Sequence, residues 1–354
     1  MNILFLAPYP ENESPSQRFR FEHYLQYLHQ KDISFSYKPF LDLATWKIFF
    51  GPGNIGKKVW GLLTGFFRRW LLMFTIGRYD YVFIHREAAP VGPPVFEWII
   101  AKIYRKKIIY DFDDAIWVPA VSKNNKAAKY FKYFGKIKTI CRWSYKISAG
   151  NSYLAAFASQ FNSNVTIIPT VVDTENVHNR IQQQSVMQPA LGWTGSFSTL
   201  KYIDIIVPVL QRLQDKYNFV FIVIADKDPF LPLKNYQFIK WRKITEAEDL
   251  LRIHIGLMPL YDDVFSRGKC GFKAIQYMSM GIPAVVSPVG VNSKIVDDGS
   301  NGFLCDSEQD WYEKLSLLIE NSGIRKQFGL DARKKIESDY SVVATRNMFV
   351  NLFK

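Results

Sequence analysis

Arg267, Lys269 and Lys273 set three cations around Gly268 and Gly271, where the run RGKCGFKAIQYMSMGIP turns into a helix carrying Ala274, Ile275 and Met278. A helix N-terminus offers free backbone N–H groups and the positive end of the dipole, which together attract anions. Lysine and arginine beside it complete a pocket for a phosphate or diphosphate. Such a pocket serves to hold and neutralise a phosphorylated group. Gly281-Ile282-Pro283 then ends the helix, Ala284–Ser287 reads as a short buried strand, and Gly290 opens another loop. A second glycine turn, Leu191-Gly192-Trp193-Thr194-Gly195-Ser196 with Lys201 behind it, suits close backbone approach to phosphate oxygens.

Acids mark a different kind of site. The apolar run Ile108-Ile109-Tyr110 leads directly into Asp111, with Asp113 and Asp114 just beyond. Like charges this near raise one another's pKa. A carboxylate at a strand end can orient a hydroxyl or take its proton. The same trio would suit a metal, while capping and solvation account for at least one of the three. His85-Arg86-Glu87 follows another apolar run, which makes Arg86 and Glu87 binding-site candidates or a plain ion pair, with His85 structural. In the first loop, Ser16 is placed to cap a helix whose start holds Arg18 and Arg20. Cations are unfavourable there unless an anion is bound.

The elements that position these residues alternate along the chain. Asn2–Ala7, Tyr81–Ile84, Lys107–Tyr110, Lys146–Ala149 and Val165–Ile168 are short apolar runs separated by helical stretches such as Phe21, Tyr24, Leu25 and Leu28. The second half repeats the plan with Ala190–Trp193, Phe219–Ala225, Ile255–Leu260 and Ala284–Ser287. This alternation implies an α/β chain with parallel sheets covered by helices. The divisions expected are a first domain over 1–170, a polar linker over 171–189 and a second domain over 190–338. A final helix over 339–354, capped by Ser341, is expected to cross back to the first domain. Ligands of open α/β sheets sit beyond the carboxyl ends of the strands, where all these candidates fall.

Composition agrees. The 354 residues exceed one ordinary core, and 48% hydrophobic with 22% charged residues are globular values. Cys141, Cys270 and Cys305 form neither a disulfide nor a zinc pattern, which fits a reducing compartment. The start MNILFLAPYP lacks the basic region of a signal peptide and reads as a first strand. Val59–Ile76, the longest apolar stretch, is broken by Arg68-Arg69 and falls short of the ~20 residues of a spanning helix. Of the net charge of +13, residues 1–180 hold +11. The excess predicts an acidic partner for the first half. No nucleic-acid motif accompanies it. Trp46–Phe50 and Lys57–Leu72 interleave aromatics with cations, and Lys123–Lys146 holds no acid. An anionic membrane surface is the partner this pattern fits.

The segments Leu191–Lys201 and Arg267–Gly302 resemble the donor-binding half of family-4 retaining glycosyltransferases (glycosyl transferases group 1). That resemblance implies the GT-B fold, two Rossmann-like domains with parallel sheets facing across a cleft. It also implies donor contacts at Gly195, Ser196, Lys201, Ile244, Lys269, Gly271, Phe272 and Gln276. Lys201 matches the family's phosphate-binding lysine, whereas Ser196 stands where an arginine is usual. Gln276, in Gln-Tyr-Met-Ser-Met-Gly, replaces the glutamate that binds ribose hydroxyls, and the partner glutamate eight residues earlier is absent. Ile244 falls in the loop that receives the base. Asp113 and Asp114 occupy the place of the family's His-Asp pair, near the acceptor and the transferred sugar. Asn151, Ser16, Arg18, Arg86 and Glu87 fall at acceptor-side positions.

The reading implied is transfer of a sugar from a nucleotide-diphosphate sugar to a hydroxyl of a glycan or lipid-linked acceptor, with retention. Asp113, Asp114, Lys273 and Arg267 would carry the chemistry, with no metal or other cofactor required and no nucleic-acid partner. Such enzymes commonly serve cell-envelope polysaccharide or glycolipid synthesis, here in the cytoplasm and peripheral to the inner face of the membrane. A nucleotide-sugar epimerase, an inactive nucleotide-binding homologue and a basic membrane- or polyanion-binding scaffold are the alternatives.

Overall fold

The computed structural model of the chain describes residues 1–119, 133–184 and 188–354. These divide into two compact units, Met1–Thr170 with Arg346–Lys354, and Val171–Thr345.

The first unit holds β1 (Asn2–Ala7), β2 (Ser34–Pro39), β3 (Tyr81–His85), β4 (Lys107–Phe112), β5 (Lys146–Ala149) and β6 (Val165–Ile167), in the order β2-β1-β3-β4-β5-β6. Every pair is parallel. Helices cover the sheet, so its central strands are buried on both faces and read as unbroken apolar runs. Register sets His85 beside Asp111 and Asp111 beside Ser148, which brings three polar side chains to one edge of the sheet. Phe5, Phe21 and Phe83 pack against one another and against Phe349 and Phe353 from the end of the chain. Ser341 caps the last helix, Val342–Val350, by accepting from the Ala344 N–H at 3.1 Å.

The second unit repeats the design with β7 (Ala190–Gly195), β8 (Val220–Ala225), β9 (Tyr236–Lys240), β10 (Ile255–Met258), β11 (Ala284–Val286) and β12 (Gly302–Leu304), ordered β12-β11-β10-β7-β8-β9 and all parallel. Its core joins Leu191, Trp193, Phe221, Leu257 and Val285 to the Val207–Lys216 and Glu308–Glu320 helices. Residues 171–184 are tied to this unit. The Gln182 N–H donates to Met280 O at 2.8 Å, Gln184 Nε2 donates to His254 O at 3.1 Å, and Arg333 Nη2 reaches Thr174 O at 3.1 Å. Among the described residues, no helix is long and apolar enough to cross a membrane.

The Phe272–Ser279 helix, whose first turn carries Lys273, is pinned closely to the sheet. A Cβ at Gly256 on β10 would lie 2.3 Å from the Tyr277 ring. The Tyr277 hydroxyl accepts from the Thr194 N–H at 2.8 Å and donates to Leu257 O at 3.4 Å. Gly256→Ala is therefore expected to cost about 1–3 kcal/mol, because a methyl has to be forced between helix and strand. Chemical denaturation reads the loss, and an unshifted midpoint would mean that the helix is not held there.

Candidate functional site

In the first unit, the loops after β1, β3 and β4 and the helix Lys136–Trp143 enclose a pocket of about 400 Å³, mouth included, lined by Tyr9, Arg86, Glu87, Tyr133, Phe134 and Lys136 among others. Arg86 donates from Nε to Asp113 Oδ1 at 2.8 Å and from Nη2 to Asp114 Oδ2 at 2.7 Å. Burial alone would lower its pKa, but the two carboxylates overcome this and raise it, so Arg86 stays charged. Its backbone adopts φ +58°, a left-handed conformation costly for a residue with a Cβ. The Arg86 N–H bonded to Asp111 O at 2.7 Å and the Tyr110 hydroxyl bonded to Arg86 O hold it there. Glu87 pairs with buried Lys136 at 2.7 Å. Burial also raises the pKa of Tyr9, so its hydroxyl stays protonated.

Behind this pocket lies a closed network. Asp111 is 1% exposed and accepts from Arg20 Nη2 at 2.5 Å and Ser148 Oγ at 2.7 Å, with His85 Nδ1 at 2.7 Å. Arg20 also reaches Ile168 O. The anion that makes an arginine tolerable near this helix start is thus Asp111 of the same chain. Ser16 does not cap a helix. The N-cap position is held by Ser14, with no side-chain cap, and Ser16 Oγ lies 3.0 Å from Ser14 Oγ within the first turn. The guanidinium of Arg18 lies 4.7 Å over the Phe19 ring. Asn151 caps the Ser152–Ser159 helix by accepting from the Leu154 N–H at 2.9 Å. Of the Lys123–Lys146 cluster, Lys123, Lys126, Lys129 and Lys132 lie outside the described residues.

In the second unit, Gly271 adopts φ +67° at the start of the Phe272–Ser279 helix. Lys273 Nζ lies 5.1 Å over the Trp193 ring, and a Cβ at Gly195 would come 2.9 Å from Lys273 Cε. Lys201 and Lys269 flank one ring, at 5.1 and 5.9 Å from the centre of Tyr202, whose hydroxyl lies 3.1 Å from Ser266 Oγ. The structure therefore groups Gly195 with Lys273 and Lys201 with Lys269 near the ends of β7 and β10, while Ser196 begins the turn after β7. Arg267 turns aside to an exposed pair with Asp262 at 2.6 Å. Phe272 follows Gly271 in the helix, and Ile244 is 90% exposed on the Lys243–Thr245 turn.

Sequence reasoning passed over several of these residues. Buried Glu246 accepts from Gln276 Nε2 at 3.4 Å and from Trp241 Nε1 at 3.2 Å, which puts a carboxylate beside the glutamine that interrupts the helix motif. A carboxylate in a first helical turn is an ordinary dipole partner, so its type and position gave no signal. Tyr9 stood only within the start MNILFLAPYP, and Lys136 was read as part of the acid-free Lys123–Lys146 stretch facing a membrane, whereas it is buried against Glu87. Among the described residues, no three His, Cys, Asp or Glu side chains are grouped to hold a metal ion.

Residues 188–321 match the family described as Glycosyl transferases group 1. An uncharacterized glycosyltransferase of Methanocaldococcus jannaschii, MJ1178, is 26% identical over 178 residues, which span 45% of this chain and 47% of that protein. Among solved structures, sucrose-phosphate synthase from Thermosynechococcus elongatus has a TM-score of 0.70 at 11% identity, covering 100% of this chain and 98% of that one. HepE from Anabaena, in complex with UDP and glucose, has a TM-score of 0.63 at 16% identity, covering 99% and 98%. At these identities the likeness is one of fold. The chain thus carries a glycosyl transferases group 1 domain over residues 188–321 and has the GT-B fold of the glycosyltransferases it resembles.

Proposed function

We propose that the protein transfers a sugar from a nucleotide-diphosphate sugar to the hydroxyl of a glycan or lipid-linked acceptor, with retention at the transferred carbon. The reading is carried by the group 1 domain itself, in which Lys273 at a glycine-opened helix and the Lys201–Lys269 pair gather positive charge around Gly195 and Gly271. These lysines neutralise the diphosphate as the bond to the sugar breaks, which is the task a metal performs elsewhere. Gln276 and Glu246 face the ribose, and Ile244 is available to the base. Arg267 turns from Asp262 toward the phosphates when the donor binds.

The first unit supplies the acceptor site. Tyr9, Arg86, Glu87 and Lys136 line its pocket, with Asp113 and Asp114 fixing the guanidinium. Ser16, Arg18 and Asn151 support the loops around it. The place of action is the inner face of the cell membrane, in cell-envelope polysaccharide or glycolipid synthesis, in keeping with the basic excess of residues 1–180.

A thermal-shift titration with UDP, GDP, ADP and their sugar conjugates tests this. A nucleotide at about 100 times its dissociation constant adds roughly 2.7 kcal/mol. One nucleotide is expected to stabilise the wild type and to lose most of that effect in Lys273→Ala. No response to any of them would sink the reading.

A further inference from the structure

The helix Ile55–Met73 buries the wrong side chains. On its inner face Gly61 and Gly65 sit so close to Thr45 and Phe40 that a Cβ would fall 2.3 and 2.6 Å from them. Buried Arg69 donates from the same face to Ala88 O, Lys38 O and Ala7 O at 2.8, 2.9 and 3.1 Å. The outer face is large and apolar. Ile55, Val59, Trp60, Leu63, Phe67 and Trp70 are exposed, Trp60 by 68% and Phe67 by 63%. At 100° per residue these six span an arc of roughly 140°. A surface helix ordinarily turns that arc inward, and a contiguous apolar patch left outside marks an interaction face.

Charge selects the partner. Between Leu43 and Tyr79 there are six Lys and Arg residues and no Asp or Glu. A second copy of the chain would bring another acid-free basic helix against this one. An anionic lipid surface answers both the apolar arc and the cations, with tryptophan suited to the boundary between acyl chains and headgroups. We propose that this helix seats the first unit on an anionic membrane, its apolar arc in the interface and Lys47, Lys57 and Lys58 against the headgroups.

One consequence rests on the glycosyltransferase reading given above. Tyr9, which lines the pocket, packs at 4.4 Å on Trp46 and 6.1 Å from Phe50, itself 70% exposed. Trp46 follows Thr45, on which Gly61 rests. Aromatic surface thus runs from the pocket to the membrane-facing helix, and the acceptor that uses it is carried by a lipid.

The test is sedimentation of the full chain with vesicles of phosphatidylglycerol and phosphatidylcholine, or of phosphatidylcholine alone, with nucleotide stabilisation measured on the same proteins. The wild type should pellet with the anionic vesicles. Trp60→Glu/Phe67→Glu should weaken that binding at least about tenfold while melting and nucleotide response stay unchanged, since both side chains are exposed. Lys57→Glu/Lys58→Glu should cost at least about fivefold per lysine, since each change reverses a charge, and remove the preference for anionic lipid. A wild type left in the supernatant with anionic vesicles overturns the proposal, as does a Trp60→Glu/Phe67→Glu variant that binds like wild type. So does a dimer, seen by light scattering without vesicle binding, that this variant dissociates. Vesicle binding without any nucleotide response would instead sink the glycosyltransferase reading alone.

Discussion

Lys273→Ala should lower kcat about 10²–10³-fold with whichever nucleotide-sugar stabilises the chain, judged by the usual cost of removing one donor to a developing oxyanion. The argument is one of timing. On the function proposed above, the diphosphate is already an anion before the bond to the sugar breaks, and the helix start and three lysines share it. As it leaves, it gains charge, and the cation nearest the bridging oxygen gains most from that change. Lys273 lies in the first turn of its helix, held over Trp193 beside the glycine that ends β7. Lys201 is exposed beside Tyr202, in the Phe197–Ile205 segment that follows β7. Losing an interaction that strengthens in the transition state lowers kcat more than it raises KM. Steady-state kinetics of nucleotide release should therefore show the loss in kcat, with Lys273→Arg recovering part of it because charge is retained. A variant whose KM rises while kcat holds would place Lys273 in ordinary binding and leave the leaving-group role to another residue.

What was legible in the sequence follows burial. Nine strands carry contiguous apolar runs, and eight of them lie inside a sheet, where neighbours on both sides and helices on both faces leave them no water; the ninth, β6, is an edge strand whose short run was legible all the same. β2, β9 and β12 escaped notice, and each is an edge strand. SFSYKP and YQFIK alternate with polar residues because one flank meets solvent, and Gly302–Leu304 is too short for any period to register. At the site, the cations around Gly271 were legible because helix start and charges adjoin in the chain. The pairings that decide what each group does were not. Arg20 meets Asp111 across 91 residues, Lys136 meets Glu87 across 49, and Gln276 meets Glu246 across 30. Local pattern places a carboxylate at a strand end, but only the register of three strands reveals that Asp111 is turned into a closed network while Asp113 and Asp114 face Arg86.

Arg20→Met should destabilise the first unit by about 3–5 kcal/mol near pH 7, since it strands a buried carboxylate. Burial alone would raise the pKa of Asp111. Arg20 and His85 overcome it and hold the carboxyl far below the ordinary carboxylate range. A carboxyl whose folded pKa is depressed lends stability above its unfolded pKa, about 3.9, and that stability fades as pH falls below it. In Arg20→Met the sign reverses. With the guanidinium gone, burial lifts the carboxyl above its unfolded value, so the variant regains stability relative to wild type once the group is protonated. The gap between the two proteins should thus be widest at neutral pH and narrow toward pH 3, as measured by denaturation of both across that range. Arg20→Met/Asp111→Asn, which removes the charge with its partner, should be less damaged than Arg20→Met alone at pH 7. A gap independent of pH, together with additive losses in the double variant, would mean that Arg20 acts by filling space and holding Ile168 O rather than by neutralising Asp111.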